Sequence, residues 1–211
     1  MSLDTAIEEV RSRDRALDRL VARVGRIRHR PRNAHGHFGA LARAIVYQQL
    51  AGRVAGIILD RVIAAAGGEL SAKSLARVSD AKLRAAGLSA NKLASLRDLT
   101  AKTLNGALDF TTMSKRDDEE VIASLVDVRG IGRWTAEMYL MFELRRLDIW
   151  PIDDYGVRQG YGLIWDIDPS PLPKQLAPLG DRFRPYRSIV ARYCWEAVPL
   201  YRQGGTGPAP R

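Results

Sequence analysis

Two neighbouring carboxylates, Asp153 and Asp154, open the segment DDYGVRQGYG just after Pro151. An aspartate at a helix N-terminus is kept ionised by the helix dipole and by unpaired amides, so it can oppose a cationic transition state or activate a water molecule. Aspartate is also a common N-cap, and the residues alone leave both readings open. Trp134 and Trp195 offer electron-rich indole faces, which attract a cation by roughly 0.5–2 kcal/mol or more once desolvated. Both also suit a core, since Trp134 starts a helical stripe with Met138, Met141 and Phe142. Within LVDVRGIGRWTAEMYLMF, Gly130 and Gly132 permit a tight turn and let a phosphate approach the amides of the following helix, while Ile131 is expected to tuck into the core. Gln48 and Gln49 interrupt an apolar face set by Leu41 and Ile45. Such an amide pair suits hydrogen bonding to a polar partner, or merely a solvated surface. His29, His35 and His37 lie among arginines that repel a cation, so they read as a solvated loop rather than a metal site.

The elements that position these groups are helical almost throughout. Apolar residues recur at three- and four-residue steps from Leu3 to Val24, predicting one helix that ends in the basic run RIRHRPRNAHGH. A second apolar face runs from about 37 to 66 and stops at Gly67-Gly68. Shorter helices are expected over 71–78, 80–86 and 89–104, opened by Ser or Asp caps. The acid-rich start of 115–128 suits the positive end of a helix dipole. Further helices are expected over 133–147, 153–164, 173–182 and 185–197, before a Gly- and Pro-rich tail over 204–211 that reads as disordered. Strand alternation is absent, so the expected fold is all-α, one domain over 1–203 in two lobes with a cleft between them.

The chain has 211 residues, of which 46% are hydrophobic and 27% charged, enough to build a core without disulfides. Its 33 Lys and Arg against 24 Asp and Glu give a net charge of +9, which favours a polyanionic partner but does not identify one. No apolar run approaches the roughly 20 residues that cross a bilayer, and the charged N-terminal stretch MSLDTAIEEVRSRDR does not read as an export signal. No membrane partner and a cytoplasmic location are expected. A lone cysteine, Cys194, cannot ligate an iron–sulfur cluster.

The glycine turn between amphipathic helices resembles the helix-hairpin-helix motif, with Arg129 where proline often stands. Asp154 follows Trp134 by 20 positions. With ARAIVYQQLAGRVAGIILDRV upstream and PIDDYGVRQGYG downstream, the chain from about Phe38 to Trp195 is similar to the helix-hairpin-helix DNA glycosylases, in the 3-methyladenine DNA glycosylase II branch. That resemblance implies a two-lobed helical glycosylase fold and a monomer that hydrolyses the N-glycosidic bond of alkylated purines in double-stranded DNA. It implies Asp154 as the catalytic carboxylate, with Asp153 a cap or sugar-orienting neighbour. Trp134, Trp195, Phe38 and Tyr47 would line the damaged-base pocket. Arg129, Gly130, Gly132, Arg133 and Thr135 would hold DNA, and Gln48, Gln49 and Leu50 would form the wedge that fills the flipped base's place. It further implies a monovalent cation on the carbonyls of Val126, Val128 and Ile131, and no other cofactor. Strand-cutting relatives have lysine where Trp134 stands, so an enzyme without lyase activity is expected. A non-catalytic DNA-binding module, and a glycosylase for oxidised or deaminated bases, are the competing readings.

Overall fold

Residues 2–202 are described by a computed structural model. In chain order the helices are α1 (Leu3–Arg13), α2 (Arg15–Val24), α3 (Gly36–Tyr47), α4 (Gly52–Ala65), α5 (Ala72–Ala76), α6 (Asp80–Ala85), α7 (Ala90–Leu104), α8 (Asp118–Val126), α9 (Arg133–Phe142), α10 (Tyr155–Trp165), α11 (Pro173–Leu179) and α12 (Arg187–Arg202). Among the described residues there is no strand, and no helix is long and apolar enough to cross a membrane. Two compact units divide the chain: an inner unit, Pro31–Leu144, and a terminal unit, Met1–Arg30 with Arg145–Arg211.

Side-chain caps and left-handed backbone turns mark where the helices differ from the sequence periodicity. The first segment is two helices, not one, because Asp14 is extended (φ −149°) and its Oδ1 accepts the N–H groups of Ala16 and Leu17 at 2.8 and 3.0 Å. The long apolar face expected to end near 66 is broken into α3 and α4, since Gln49 takes a left-handed φ of +55°. The α8 helix starts at Asp118 because Asp117 and Glu120 form a capping box. The α9 helix stops at Phe142, short of the expected 147, and Arg145 follows at φ +57°. Ser71, Ser79 and Ser89 cap α5, α6 and α7 through their side chains. The α12 helix runs on to Arg202, past the expected 197, and the tail over 204–211 lies outside the described residues.

In the inner unit Leu41, Ile45, Leu75, Leu96, Leu125 and Leu140 are fully buried, and α7 packs against α3 and α5. The terminal unit is built on α10 against α12, with Tyr161 and Tyr193 fully buried. A Cβ on Gly160 would lie 1.9 Å from the Cys194 carbonyl oxygen, so these two helices meet backbone to backbone.

Candidate functional site

The inner unit carries the hairpin, formed by α8, the turn Asp127–Gly132 and α9. Gly130 sits at φ +79°, and a Cβ there would come within 2.5 Å of Ser95 Oγ on α7. Glycine is therefore required twice over, by backbone conformation and by space. Gly130→Ala is expected to cost about 1–3 kcal/mol in urea denaturation and to weaken binding to undamaged duplex. The bed of the hairpin is α7. Asp98 Oδ2 accepts the Arg129 N–H at 2.7 Å, and Lys102 Nζ pairs with Asp127 Oδ2 at 2.6 Å. At the start of α9 the cap residue is Gly132, which has no side chain to satisfy the first-turn amides. Gly132, Arg133 and Trp134 are exposed there, at the positive end of the α9 dipole. Thr135 is buried.

Arg133 is engaged within the protein. Its guanidinium grips Glu119 bidentately, with Nη1 on Oε2 at 3.0 Å, and its Nε reaches the buried Glu137 at 3.1 Å. The hydrogen bond from Arg133 holds the Glu119 carboxyl below its ordinary range. Arg133 thus ties the start of α8 to α9, while the Arg129 side chain is exposed.

The break between α3 and α4 is fastened to this hairpin. Gln48 Nε2 donates to the Gly130 carbonyl at 2.8 Å, and Lys92 Nζ donates to the Val46 carbonyl at 2.6 Å. Gln49 and Leu50 are exposed, and Gln49, directly after the anchoring Gln48, takes the left-handed conformation. Holding a non-glycine residue there costs about 1 kcal/mol or more, the kind of local strain that persists only where the surroundings fix it.

In the terminal unit the N-cap of α10 is Asp154 and not Asp153, which is exposed, and the helix starts at Tyr155 instead of the expected 153. Asp154 Oδ1 accepts two N–H groups, from the Val157 backbone at 2.8 Å and from Trp195 Nε1 at 2.9 Å. A carboxylate so held has a fixed plane and lies at the positive end of an 11-residue helix. Trp195 is half-buried, and Cys194 beside it is fully buried, which pushes its thiol well above the usual range.

The remaining aromatic residues sit in different settings. Trp134 is 49% exposed, too open for a core residue. Phe38 is packed inside the inner unit at 6% exposure. Tyr47 is half-buried, with the Arg43 guanidinium 3.9 Å above its ring. Val126 ends α8, Val128 and Ile131 are buried in the turn, and the Val128 carbonyl accepts the Ile131 N–H at 3.0 Å. The structure therefore joins Asp154 to Trp195 and Gln48 to Gly130. Ser95, Asp98 and Lys102 on α7, Glu119 on α8 and Gly156 on α10 belong with these groups but were not found from sequence. Their partners lie many positions away and no local pattern marks them.

Residues 42–184 match the family described as the HhH-GPD superfamily of base excision DNA repair proteins. DNA-3-methyladenine glycosylase 1 of Schizosaccharomyces pombe is 32% identical over 186 residues, 86% of this chain and 82% of that protein. A DNA-3-methyladenine glycosidase structure from Bacillus halodurans superposes with a TM-score of 0.87 at 32% identity, over 94% of this chain and 91% of that one. A structure of the S. pombe 3-methyladenine DNA glycosylase in complex with abasic DNA gives a TM-score of 0.78 at 29% identity, covering 91% of this chain and 95% of that one.

Proposed function

The chain belongs to the HhH-GPD superfamily of base excision DNA repair proteins, and on that premise we propose that it is a monofunctional DNA glycosylase that removes alkylated purines from duplex DNA by hydrolysis. The observation that carries this reading is the carboxylate of Asp154, oriented by two N–H donors at the start of α10. Breaking the N-glycosidic bond leaves a sugar with oxocarbenium character, and a fixed carboxylate stabilises that charge without reorganising. The bonding electrons leave with the base. In an N3- or N7-alkylated purine they neutralise a positive charge already present, so no strong general acid is needed. Water then adds to C1′ and loses a proton, giving an abasic site.

Other residues take supporting roles in this reading. The first-turn amides of α9 hold one phosphate, and Gln49 and Leu50 fill the space of the flipped nucleotide, a flip that costs a few kcal/mol of unstacking. In this reading a monovalent cation would be held by the carbonyls of Val126, at the negative end of α8, and of Val128 and Ile131 in the turn that follows. Bound there, it would lend positive charge to the hairpin near the phosphate. The protein acts as a monomer in the cytoplasm. Trp134 has no amine to form a Schiff base with the sugar, so the strand stays intact after base release.

End-labelled methylated duplex tests the reaction type. Treatment with the protein should leave full-length strands that break at purines only after alkali, and borohydride should trap no protein–DNA adduct. Strands broken before alkali would refute the monofunctional reading. Trp134→Ala should slow excision of cationic alkylpurines about tenfold and neutral ethenoadenine or hypoxanthine far less, because only a cationic base loses the cation–π contact. Equal rates for all substrates in the folded variant would show that Trp134 does not read charge.

A further inference from the structure

We propose that Trp195 is a positioning residue for Asp154, seated by a glycine seam along α10, rather than a wall of the base pocket. This inference rests on the reading of Asp154 as the carboxylate that faces the sugar. The Trp195 indole N–H meets Asp154 Oδ1 at 2.9 Å, on the same oxygen that accepts the Val157 amide. Two donors on one oxygen from different directions fix the rotation of the carboxylate about its own axis. A helix cap alone needs only the Val157 bond.

Room for the indole is made by Gly156. A Cβ at that position would lie 2.9 Å from Trp195 Cδ1, 3.2 Å from its Nε1 and 3.2 Å from Asp154 Oδ1. One turn further along α10, Gly160 lets the α12 backbone come into direct contact at Cys194, the residue before Trp195. Each glycine carries a helix-propensity penalty of about 1 kcal/mol relative to alanine, and two on one face of an 11-residue helix make sense if close approach is what they provide. The pair at 156 and 160 sets the height and register of α12, and that register delivers the indole N–H to the carboxylate.

The seam makes a prediction that separates positioning from base recognition. Duplexes carrying a tetrahydrofuran or a protonated pyrrolidine in place of the damaged nucleotide both lack a base. They differ in whether the sugar ring bears the positive charge that a carboxylate would oppose. The wild-type protein should prefer the pyrrolidine duplex, and Asp154→Asn should abolish that preference. Trp195→Phe keeps an aromatic ring but removes the donor. It should lower the preference about 10- to 100-fold, the scale of one hydrogen bond to a charged group, and leave tetrahydrofuran binding within twofold. Gly156→Ala retains the tryptophan but displaces it, and should give the same pattern. Should Trp195→Phe fold poorly, a tryptophan isostere with sulfur in place of the N–H makes the same test at constant volume.

Wild-type preference in the folded Trp195 variants, with base release lost, would overturn the proposal and return the residue to the pocket wall. Wild-type behaviour in both assays would overturn it as well. Unchanged preference in Asp154→Asn would instead refute the reading of Asp154 itself, and with it this inference.

Discussion

Asp154→Asn is expected to lower single-turnover base release by about a thousandfold, roughly 4 kcal/mol of transition-state stabilisation, while abasic duplex is still bound. The substitution suits the test because it separates the two roles of this side chain. Asparagine is as good an N-cap as aspartate, and its carbonyl oxygen can keep the bonds from Val157 and Trp195. What goes is the negative charge. The variant should therefore melt within a few degrees of wild type, and its defect should lie in the chemical step and not in binding. Retention of more than a few per cent of the wild-type rate would place the catalytic charge elsewhere.

Gly160→Ala should produce the largest loss of stability among single-methyl substitutions in the terminal unit. The added Cβ would sit 1.9 Å from the backbone oxygen of Cys194, and neither side of that contact is a side chain that can swing away. The helices must separate or the chain must strain, which costs about 1–3 kcal/mol or more. For a protein of this size each kcal/mol corresponds to about 2–4 °C in Tm. Moving α12 also moves Trp195, so activity measured well below the new Tm should fall further than stability alone accounts for. A Tm within a degree of wild type would show that α10 and α12 are not in backbone contact.

How much of this was legible in the sequence follows from the range of each interaction. The hairpin could be read because its signal is local, with glycines between two amphipathic helices in one short segment. Asp154 was singled out from Asp153 by the family resemblance, since the residues alone suit a helix cap at either position. Trp195 was read as an aromatic surface because nothing near it in sequence shows that its N–H faces a carboxylate 41 positions earlier. Gly156 and Gly160 carry no local signal of their role, and only the packing of α12 explains them. The pairing of Gln48 with Gly130 spans 82 positions and divides the YQQL segment into an anchored and an exposed glutamine, a distinction composition cannot make. Helix breaks at Asp14 and Gln49 escaped the periodicity because the apolar spacing continues across them while the backbone does not. The Asp14 cap is local, but an aspartate inside an amphipathic pattern reads equally well as its polar face.

The central claim, hydrolytic release of alkylated purines, is tested most directly by incubating the protein with methylated duplex DNA and identifying the freed bases by chromatography. The account predicts free 3-methyladenine or 7-methylguanine accumulating with wild type and neither with Asp154→Asn. Tight binding of the methylated duplex with no base released would contradict it.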